Sequence, residues 1–245
     1  IIYIKGINME SQGILQRDNF GLVLCELKKK ELFSLVEEAR LLPIVQKAVV
    51  LQYKRGERLL FNSNNDQKVF LLTQGIVNLD VYSCNGEAVG SFFLGKNEFL
   101  PFSMILKSTL KNFNMCACTD ITIVAMAKTT FEKLIYNDTT IEQFLDCQKS
   151  NIIANFLKCN MINSYVQPQM RVSLMLHHMS EKFGTVDESF EYMIPKWLTQ
   201  SILARLAGTT RETVGKTYRM LRNEGSLVGT ERLTRSFSQK YKEYL

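Results

Sequence analysis

The feature that most constrains the fold is a change of sequence pattern near residue 129. Before it lie five short runs that are rich in branched and aromatic residues and separated by turn residues: AVVLQY, KVFLLTQG, IVNLDVYS, AVGSFF and ITIVAMA. Short runs at this spacing predict antiparallel strands that form a compact barrel or roll. After it the pattern is helical, and residues 138–163 contain neither Pro nor Gly. The chain is therefore predicted to be an α+β protein.

Within the strand-rich region, Asn85-Gly86 is the strongest hairpin signal. A two-residue hairpin turn needs residues that accept positive φ, and this pair accepts it more readily than others. We therefore predict that the third and fourth runs pair as a hairpin around it.

The long stretch 138–163 predicts one helix with an apolar face that two polar residues, Gln148 and Asn155, interrupt. Polar residues in an apolar seam are costly alone, but paired across a two-stranded coiled coil they fix its register. We predict that this helix joins two copies of the chain in a homodimer; packing on its own domain is the alternative. The predicted interface consists of Ile141, Phe144, Leu145, Gln148, Ile152, Asn155, Phe156 and Cys159.

Residues 199–225 predict two short helices joined by a tight turn. Thr199 and Thr210 precede the two apolar patterns and are suitable N-caps. Gly208 and Gly225 follow the patterns, where a left-handed residue usually ends a helix.

The second of these helices has two different sides. Its apolar side consists of Val214, Thr217, Tyr218 and Leu221. Its polar side is mostly basic and starts at the helix N-terminus, which itself attracts phosphate. Gly215 on that side leaves room for a close approach, which a solvated charged face would not need. The polar side, which we predict to read DNA, consists of Arg211, Glu212, Gly215, Lys216, Arg219 and Arg222.

The charge distribution predicts a class of partner, and cysteine usage fits a cytoplasmic protein. The net charge is +6, and residues 199–245 contain nine Lys or Arg against four Glu, a local charge of +5. That asymmetry indicates a polyanionic partner for the C-terminal part, whose basic tail is expected to extend past the wing or to flank DNA. The six cysteines form no CxxC pair, and the adjacent His177 and His178 make a poor metal pair. Without an apolar run of about 20 residues, the chain is predicted to be cytoplasmic and to have no membrane partner.

The segment TTRETVGK resembles the start of the recognition helix in bacterial regulators of the Crp/Fnr superfamily. Their pattern is S-R-E-T-V-(S/G)-R, and TRETVGK at 210–216 has Thr for Ser and Lys for Arg. LTQSILARLAG resembles the preceding helix of the family. KRGERLLF, VFLLTQGIVNLDVYSCNGEAVGSFFLGKNEFL and ACTDITIVAMAKTTFEKLI resemble its β-roll sensor domain. The resemblance covers residues 45–230, and its one departure in the helix core is Thr217, where the family usually has an aliphatic residue.

The resemblance implies three parts in chain order. Residues 20–137 would form an antiparallel β-roll of the cupin-like, cyclic-nucleotide-binding type. Residues 138–165 would form the dimerisation helix, and residues 166–245 a winged helix-turn-helix. The protein would be a transcription regulator rather than an enzyme, with double-stranded DNA and RNA polymerase as partners.

The same resemblance assigns DNA contacts within the helix-turn-helix. Arg211, Glu212 and Lys216 would read bases in an inverted-repeat operator. Contacts to the DNA backbone would come from Thr199, Gln200, Thr210, Thr213 and Arg219.

The sensor lacks the family's known ligand signatures. The Arg-Ser/Thr pair that holds cyclic AMP corresponds to Lys111 and Asn112, and Leu100-Pro101 replaces the Gly-Glu pair. An iron–sulfur cluster needs four thiolates, but only Cys25 lies near the N-terminus. We therefore expect neither cofactor, and we expect control by another signal or constitutive activity. Lys111 and Asn112 remain the only candidates for effector contacts. The alternative function is an interaction module that acts through its β-roll while its DNA-binding domain has lost specificity.

Overall fold

A computed structural model gives the structure of the chain. It describes residues 36–59, 68–86, 88–100, 113–136, 139–188, 191–229 and 232–242, and the isolated positions 21, 23, 24, 27, 33 and 244. The chain divides into two compact units, Ile1–Ser150 and Asn151–Leu245. No helix among these residues is long and apolar enough to cross a bilayer.

The first unit is built mainly from short antiparallel strands. Its elements in chain order are α1 (Glu38–Val45), β1 (Val49–Tyr53), β2 (Arg58–Leu59), β3 (Lys68–Gln74), β4 (Val77–Tyr82), β5 (Ala88–Leu94), β6 (Phe99–Leu100), β7 (Phe113–Ala117), β8 (Ile121–Ala127) and α2 (Lys128–Tyr136). The strands form two four-stranded sheets, in the orders β1-β8-β3-β6 and β2-β7-β4-β5. Every pairing between neighbouring strands is antiparallel. The predicted α+β class is confirmed.

Strands β3 and β8 form the centre of the first sheet. Residues 69–72 are all buried, and so are residues 123–126 of the paired strand. A strand buried on both faces needs a continuous apolar run, which is what VFLL and IVAM supply. Helix α2 contributes to this core through Phe131, whose ring lies 5.1 Å from that of Phe99. Each fully buried side chain of this size contributes about 1.5–3 kcal/mol.

The predicted hairpin joins β4 and β5. The Gly86 N–H donates to the Ser83 carbonyl at 3.0 Å, and Gly86 has a φ of +80°. The register shifts next to the turn, so that Tyr82 pairs with Ala88. The turn is therefore longer than two residues, and it requires left-handed backbone at Gly86 but not at Asn85.

Helix α3 (Thr139–Ser164) begins in the first unit and ends in the second. In its first half Ile141, Leu145 and Gln148 are buried. The side-chain amide of Gln148 donates to the backbone carbonyl of Asn97, in the connection between β5 and β6. These three side chains pack within their own chain, so they are not available to a partner as the helical wheel had predicted. Phe144 is half-buried.

The second half of α3 has a different environment. Ile153, Phe156, Leu157 and Met161 are exposed to between 48% and 56%. Ile152, Asn155 and Cys159 are half-buried. An apolar surface therefore lies open on this half of the helix.

The second unit continues with α4 (Pro168–Phe183), β9 (Thr185–Val186), β10 (Tyr192–Met193), α5 (Gln200–Leu206), α6 (Arg211–Asn223), β11 (Leu227–Val228), β12 (Arg232–Leu233) and α7 (Arg235–Lys242). Its strands form a small antiparallel sheet in the order β11-β12-β10-β9. Helices α4, α5 and α6 beside such a sheet form a winged helix-turn-helix. The core between them includes Val172, Leu176, Leu203, Leu221 and Leu233.

Helix α7 lies in the basic tail. Phe237 is fully buried and Tyr241 is 3% exposed. The Phe237 ring meets the His177 ring of α4 edge-on at 6.1 Å. The tail therefore continues past the wing strands as α7, and its residue Phe237 packs back onto α4.

His178 is an unusual residue of the core. It is 3% exposed, and neither ring nitrogen has a hydrogen-bond partner among the described residues. Burial, together with the smaller effect of the charges of Lys158 and Lys182, lowers the pKa of His178 to about 4. The imidazole is thus neutral in the folded protein at pH 7.

The neutral state of His178 predicts a pH-dependent stability. In the unfolded chain its pKa is about 6.5, so between pH 6.5 and pH 4 only the unfolded state binds the proton. As the pH is lowered from 6.5 to 4, the free energy of unfolding should decrease by about 1.4 kcal/mol per pH unit, or about 3 kcal/mol in total. Denaturant titrations followed by the fluorescence of Trp197, the single tryptophan, report on the second unit. The His178→Met variant should lose this slope; equal slopes in both proteins would contradict the assignment.

Candidate nucleic-acid interface

Side-chain caps and glycines define the ends of α5 and α6. The Thr199 hydroxyl accepts from the Ile202 N–H at 3.3 Å, and the Thr210 hydroxyl accepts from the Thr213 N–H at 3.2 Å. Gly208 and Gly225 have φ values of +55° and +68°. All four predicted end signals are confirmed.

The apolar side of α6 is buried as predicted. Val214, Tyr218 and Leu221 are at most 4% exposed. Thr217 is fully buried, but its hydroxyl donates to the Thr213 carbonyl at 2.9 Å. Its polar atom is therefore satisfied within the helix, and the departure from an aliphatic residue leaves no unpaired group. Burial raises the pKa of Tyr218 to about 12, so the phenol stays neutral.

The opposite side of α6 is open. Arg211, Glu212, Lys216, Arg219 and Arg222 are all exposed. A Cβ added at Gly215 would meet no atom within 4 Å. Glycine inside a helix costs about 1 kcal/mol relative to alanine, and packing inside the protein does not require it here. The surface therefore combines cations with a gap in the side-chain layer.

Two of the predicted base-reading residues contact each other. Lys216 Nζ lies 2.8 Å from Glu212 Oε1. The hydrogen bond from Lys216 holds the pKa of Glu212 below its ordinary value, so the carboxylate is ionised at neutral pH. An exposed pair contributes little to stability, and either side chain can turn to another partner at small cost.

The remaining predicted positions are placed as follows. Thr199 and Thr210 are exposed, and Gln200 and Thr213 are half-buried at the start of α5 and α6. Lys111 and Asn112 lie outside the described residues, as does Cys25. No group of three His, Cys, Asp or Glu that could hold a metal ion occurs in the described part of the chain.

Sequence reasoning missed Arg171, a half-buried residue of α4. Its guanidinium donates to four backbone carbonyls: Ala207 at 2.8 Å, Tyr165 at 2.9 Å, Gly208 at 3.0 Å and Val166 at 3.2 Å. Backbone carbonyls are present at every residue, so no sequence pattern could have identified these partners.

Two curated transcriptional regulators are similar to this chain over most of its length. No family model matches the chain. It is similar to "HTH-type transcriptional regulator ArcR" of Staphylococcus haemolyticus, with 26% identity over 180 residues that cover 73% of this chain and 78% of the relative. It is also similar to the regulator of the same name from Staphylococcus aureus strain JH1, with 23% identity over 203 residues that cover 83% of this chain and 86% of the relative.

Solved structures share the fold at low sequence identity. A cyclic nucleotide-binding domain containing protein from Listeria monocytogenes EGD-e has a TM-score of 0.68 at 15% identity and covers 89% of this chain and 98% of its own. A mutant form of CooA from Carboxydothermus hydrogenoformans has a TM-score of 0.64 at 18% identity, and the match covers 90% of this chain and 94% of CooA. FixK2 from Bradyrhizobium japonicum has a TM-score of 0.63 at 14% identity, and the match covers 80% of this chain and 96% of FixK2.

These findings define the class of protein. A β-roll, a long helix and a winged helix-turn-helix in one chain form the fold of these structures. The fold and the curated relatives together confirm the resemblance to helix-turn-helix transcription regulators of the Crp/Fnr superfamily.

The cap of α6 generates a prediction about stability. Thr210→Ala removes the acceptor of the Thr213 N–H and should lower the free energy of unfolding by about 1 kcal/mol. The matched control is Thr210→Ser, which keeps the acceptor and should retain most of this stability. Denaturant unfolding followed by Trp197 fluorescence measures both. Equal losses in the two variants would mean that the methyl group, not the cap, stabilises this helix.

Proposed function

We propose that the chain is a sequence-specific DNA-binding transcription regulator of the Crp/Fnr type, which binds an inverted-repeat operator as a homodimer. The observation that carries the proposal is the exposed side of α6, which combines four cations, a capped N-terminus and the open Gly215. A helix with these properties suits the major groove, where base edges carry a distinct pattern of donors and acceptors. The names of the curated relatives support the same function.

Three residues of α6 are proposed to read bases. Arg211 is the first residue of the helix and would donate two hydrogen bonds to O6 and N7 of one guanine. Glu212 would accept from a cytosine amino group after release from Lys216. Lys216 would then contact a second guanine or a phosphate, with less selectivity because its ammonium lacks the planar fork of arginine.

Residues around the two helix starts are proposed to hold the DNA backbone. Short polar side chains and free N–H groups at helix N-termini suit phosphate oxygens. Such contacts set the register of the helix in the groove without reading sequence. The proposed residues are Thr199, Gln200, Thr210, Thr213 and Arg219.

The second half of α3 is proposed to join two copies of the chain. Ile153, Phe156, Leu157 and Met161 expose about half of their surface to water, which a second copy would cover. Ile152, Asn155 and Cys159 would contribute at its edge. A two-fold dimer of helix-turn-helix domains binds half-sites about one turn of DNA apart, which is about 34 Å.

The control of the proposed regulator involves neither cyclic AMP nor an iron–sulfur cluster. The guanidinium that would hold a cyclic phosphate is replaced by Lys111 in the sequence, and the clustered thiolates of an iron–sulfur site are absent from it. A different signal or constitutive activity is therefore proposed. The interaction-module alternative would leave the exposed cations of α6 without a role.

Selection of bound sequences from a random DNA pool tests the proposal. At near-physiological salt the protein without added ligand should enrich an inverted repeat with a G·C pair at equivalent half-site positions. Repetition with cell extract, and with oxidised and reduced protein, supplies a missing signal. The absence of enrichment under all these conditions would contradict the proposal and favour the interaction module.

Replacement of Arg211 should change specificity more than affinity. In Arg211→Ala the preference for one base pair in each half-site should fall by about 1–3 kcal/mol, because the bidentate contact is lost. Binding to unrelated DNA should change little. Arg222→Ala, at the other end of the same exposed side, is the matched control and should keep the base preference. Competition binding with operators altered at one position measures both; a uniform loss across sequences in Arg211→Ala would mean that Arg211 contacts only phosphate.

Charge in the exposed apolar surface of α3 should separate the dimer. Phe156→Asp and Leu157→Asp would each bury a carboxylate in the proposed interface, which costs far more than the contact supplies. Both variants should sediment as monomers and bind the full operator weakly. Asn151→Asp, on the side of the helix away from Phe156 and Leu157, should remain dimeric. Dimeric Phe156→Asp and Leu157→Asp proteins would place the interface elsewhere.

A further inference from the structure

The four hydrogen bonds of Arg171 connect two separate segments of the second unit. Nη1 donates to the carbonyls of Tyr165 and Val166, directly after α3. Nε and Nη2 donate to the carbonyls of Ala207 and Gly208, in the turn between α5 and α6. One rigid guanidinium therefore spans the segment that follows the long helix and the turn of the helix-turn-helix.

The chemistry of both segments suits an arginine. The last carbonyls of a helix have no partner within it and carry partial negative charge, so they favour a cation. Ala207 is the C-cap of α5, and Gly208 adopts the left-handed conformation that turns the chain toward α6. The planar fork of Arg171 presents its donors in fixed directions, so it can hold both pairs of carbonyls at once. Four of its five N–H groups are used, which leaves little for a phosphate.

The turn that Arg171 holds leads directly to the exposed side of α6. Thr210, the N-cap, follows Gly208 by two residues, and Arg211 follows Thr210. The turn is otherwise closed by the Thr209 N–H, which donates to the Ala204 carbonyl at 2.9 Å. A shift of the Gly208 carbonyl would therefore move the N-terminus of α6.

We propose that Arg171 is a positioning residue that fixes the start of α6 relative to the segment after α3. It would act on sequence recognition without contact to DNA, through the backbone conformation of residues 207–209. The link would also relay a change at the C-terminal end of α3 to the DNA-reading helix. The expected effect on DNA binding rests on the proposed function, whereas the link between the segment after α3 and the turn before α6 does not.

The DNA experiment compares four proteins over the same series of salt concentrations. Arg171→Gln removes the fork, and Arg171→Lys keeps the charge on a single ammonium that cannot span both carbonyl pairs. Val172→Ala is the matched control, because Val172 is the adjacent fully buried residue and its truncation destabilises the same helix without removing any of the four hydrogen bonds of Arg171. Affinities are measured for the selected operator and for an unrelated duplex, at temperatures well below each melting temperature.

The positioning role gives a specific pattern of results. Both Arg171 variants should bind the operator at least about tenfold more weakly, while affinity for the unrelated duplex and its salt dependence change less than about twofold. Val172→Ala should melt at a lower temperature with its specificity unchanged. Equal losses on both duplexes would identify a phosphate contact, and full activity of Arg171→Lys would mean that charge alone suffices; either result overturns the inference.

Amide hydrogen exchange tests the link without DNA. In Arg171→Gln the amides of Gly208 and Thr209 and that of Tyr165 should all exchange at least about tenfold faster than in the wild-type protein, and should do so together. In Val172→Ala any acceleration should extend over the whole domain. Faster exchange in only one of the two segments, or in neither, would overturn the inference. If the wild-type protein selects no DNA sequence, the proposed function fails, and this measurement still decides the role of Arg171.

Discussion

The burial of one side of α6 determines what its other side can do. Val214, Tyr218 and Leu221 pack into the core of the second unit, and each contributes about 1.5–3 kcal/mol. A rotation of the helix by one residue would bring charged side chains into that core, so the helix has one permitted orientation. Because the helical period is 3.6 residues, the basic residues then face solvent as a group. The exposed cations of the proposed DNA-reading surface are thus a consequence of the packing behind them.

The position of that surface along the axis of α6 depends on hydrogen bonds at the N-terminal end of the helix. The Thr210 cap sets where α6 begins, and Arg171 holds the turn before it through the carbonyls of Ala207 and Gly208. Packing alone permits small slides along the axis, whereas directional bonds to the backbone do not. A base contact needs its atoms within a few tenths of an ångström of ideal distance. The proposed sequence-specific recognition would therefore depend on these polar contacts more than general affinity for DNA would.

The parts that the sequence predicted are those whose cause lies within a few residues. Caps, glycines at helix ends and the two sides of α6 are of this kind, as are the five apolar strands. Strands β2 and β6 contain two residues each, which is too short for a recognisable pattern. A helical wheel shows which residues of α3 share a face but not what covers them, so Ile141 was assigned to a partner although its own chain buries it. The partners of Arg171 are backbone atoms far along the chain, which leave no local signal.

The two polar residues in the α3 seam show how one pattern can have two physical explanations. A buried amide without a partner costs about 1–3 kcal/mol. Gln148 avoids part of that cost by donating to the backbone carbonyl of Asn97, so it fixes the helix on its own unit. Asn155 is half-buried and directly precedes the exposed side chains of Phe156 and Leu157. In a coiled coil an asparagine at such a position pairs with its equivalent across the two-fold axis and selects one register. The first polar residue would thus attach the helix to its own chain, and the second would align it with another.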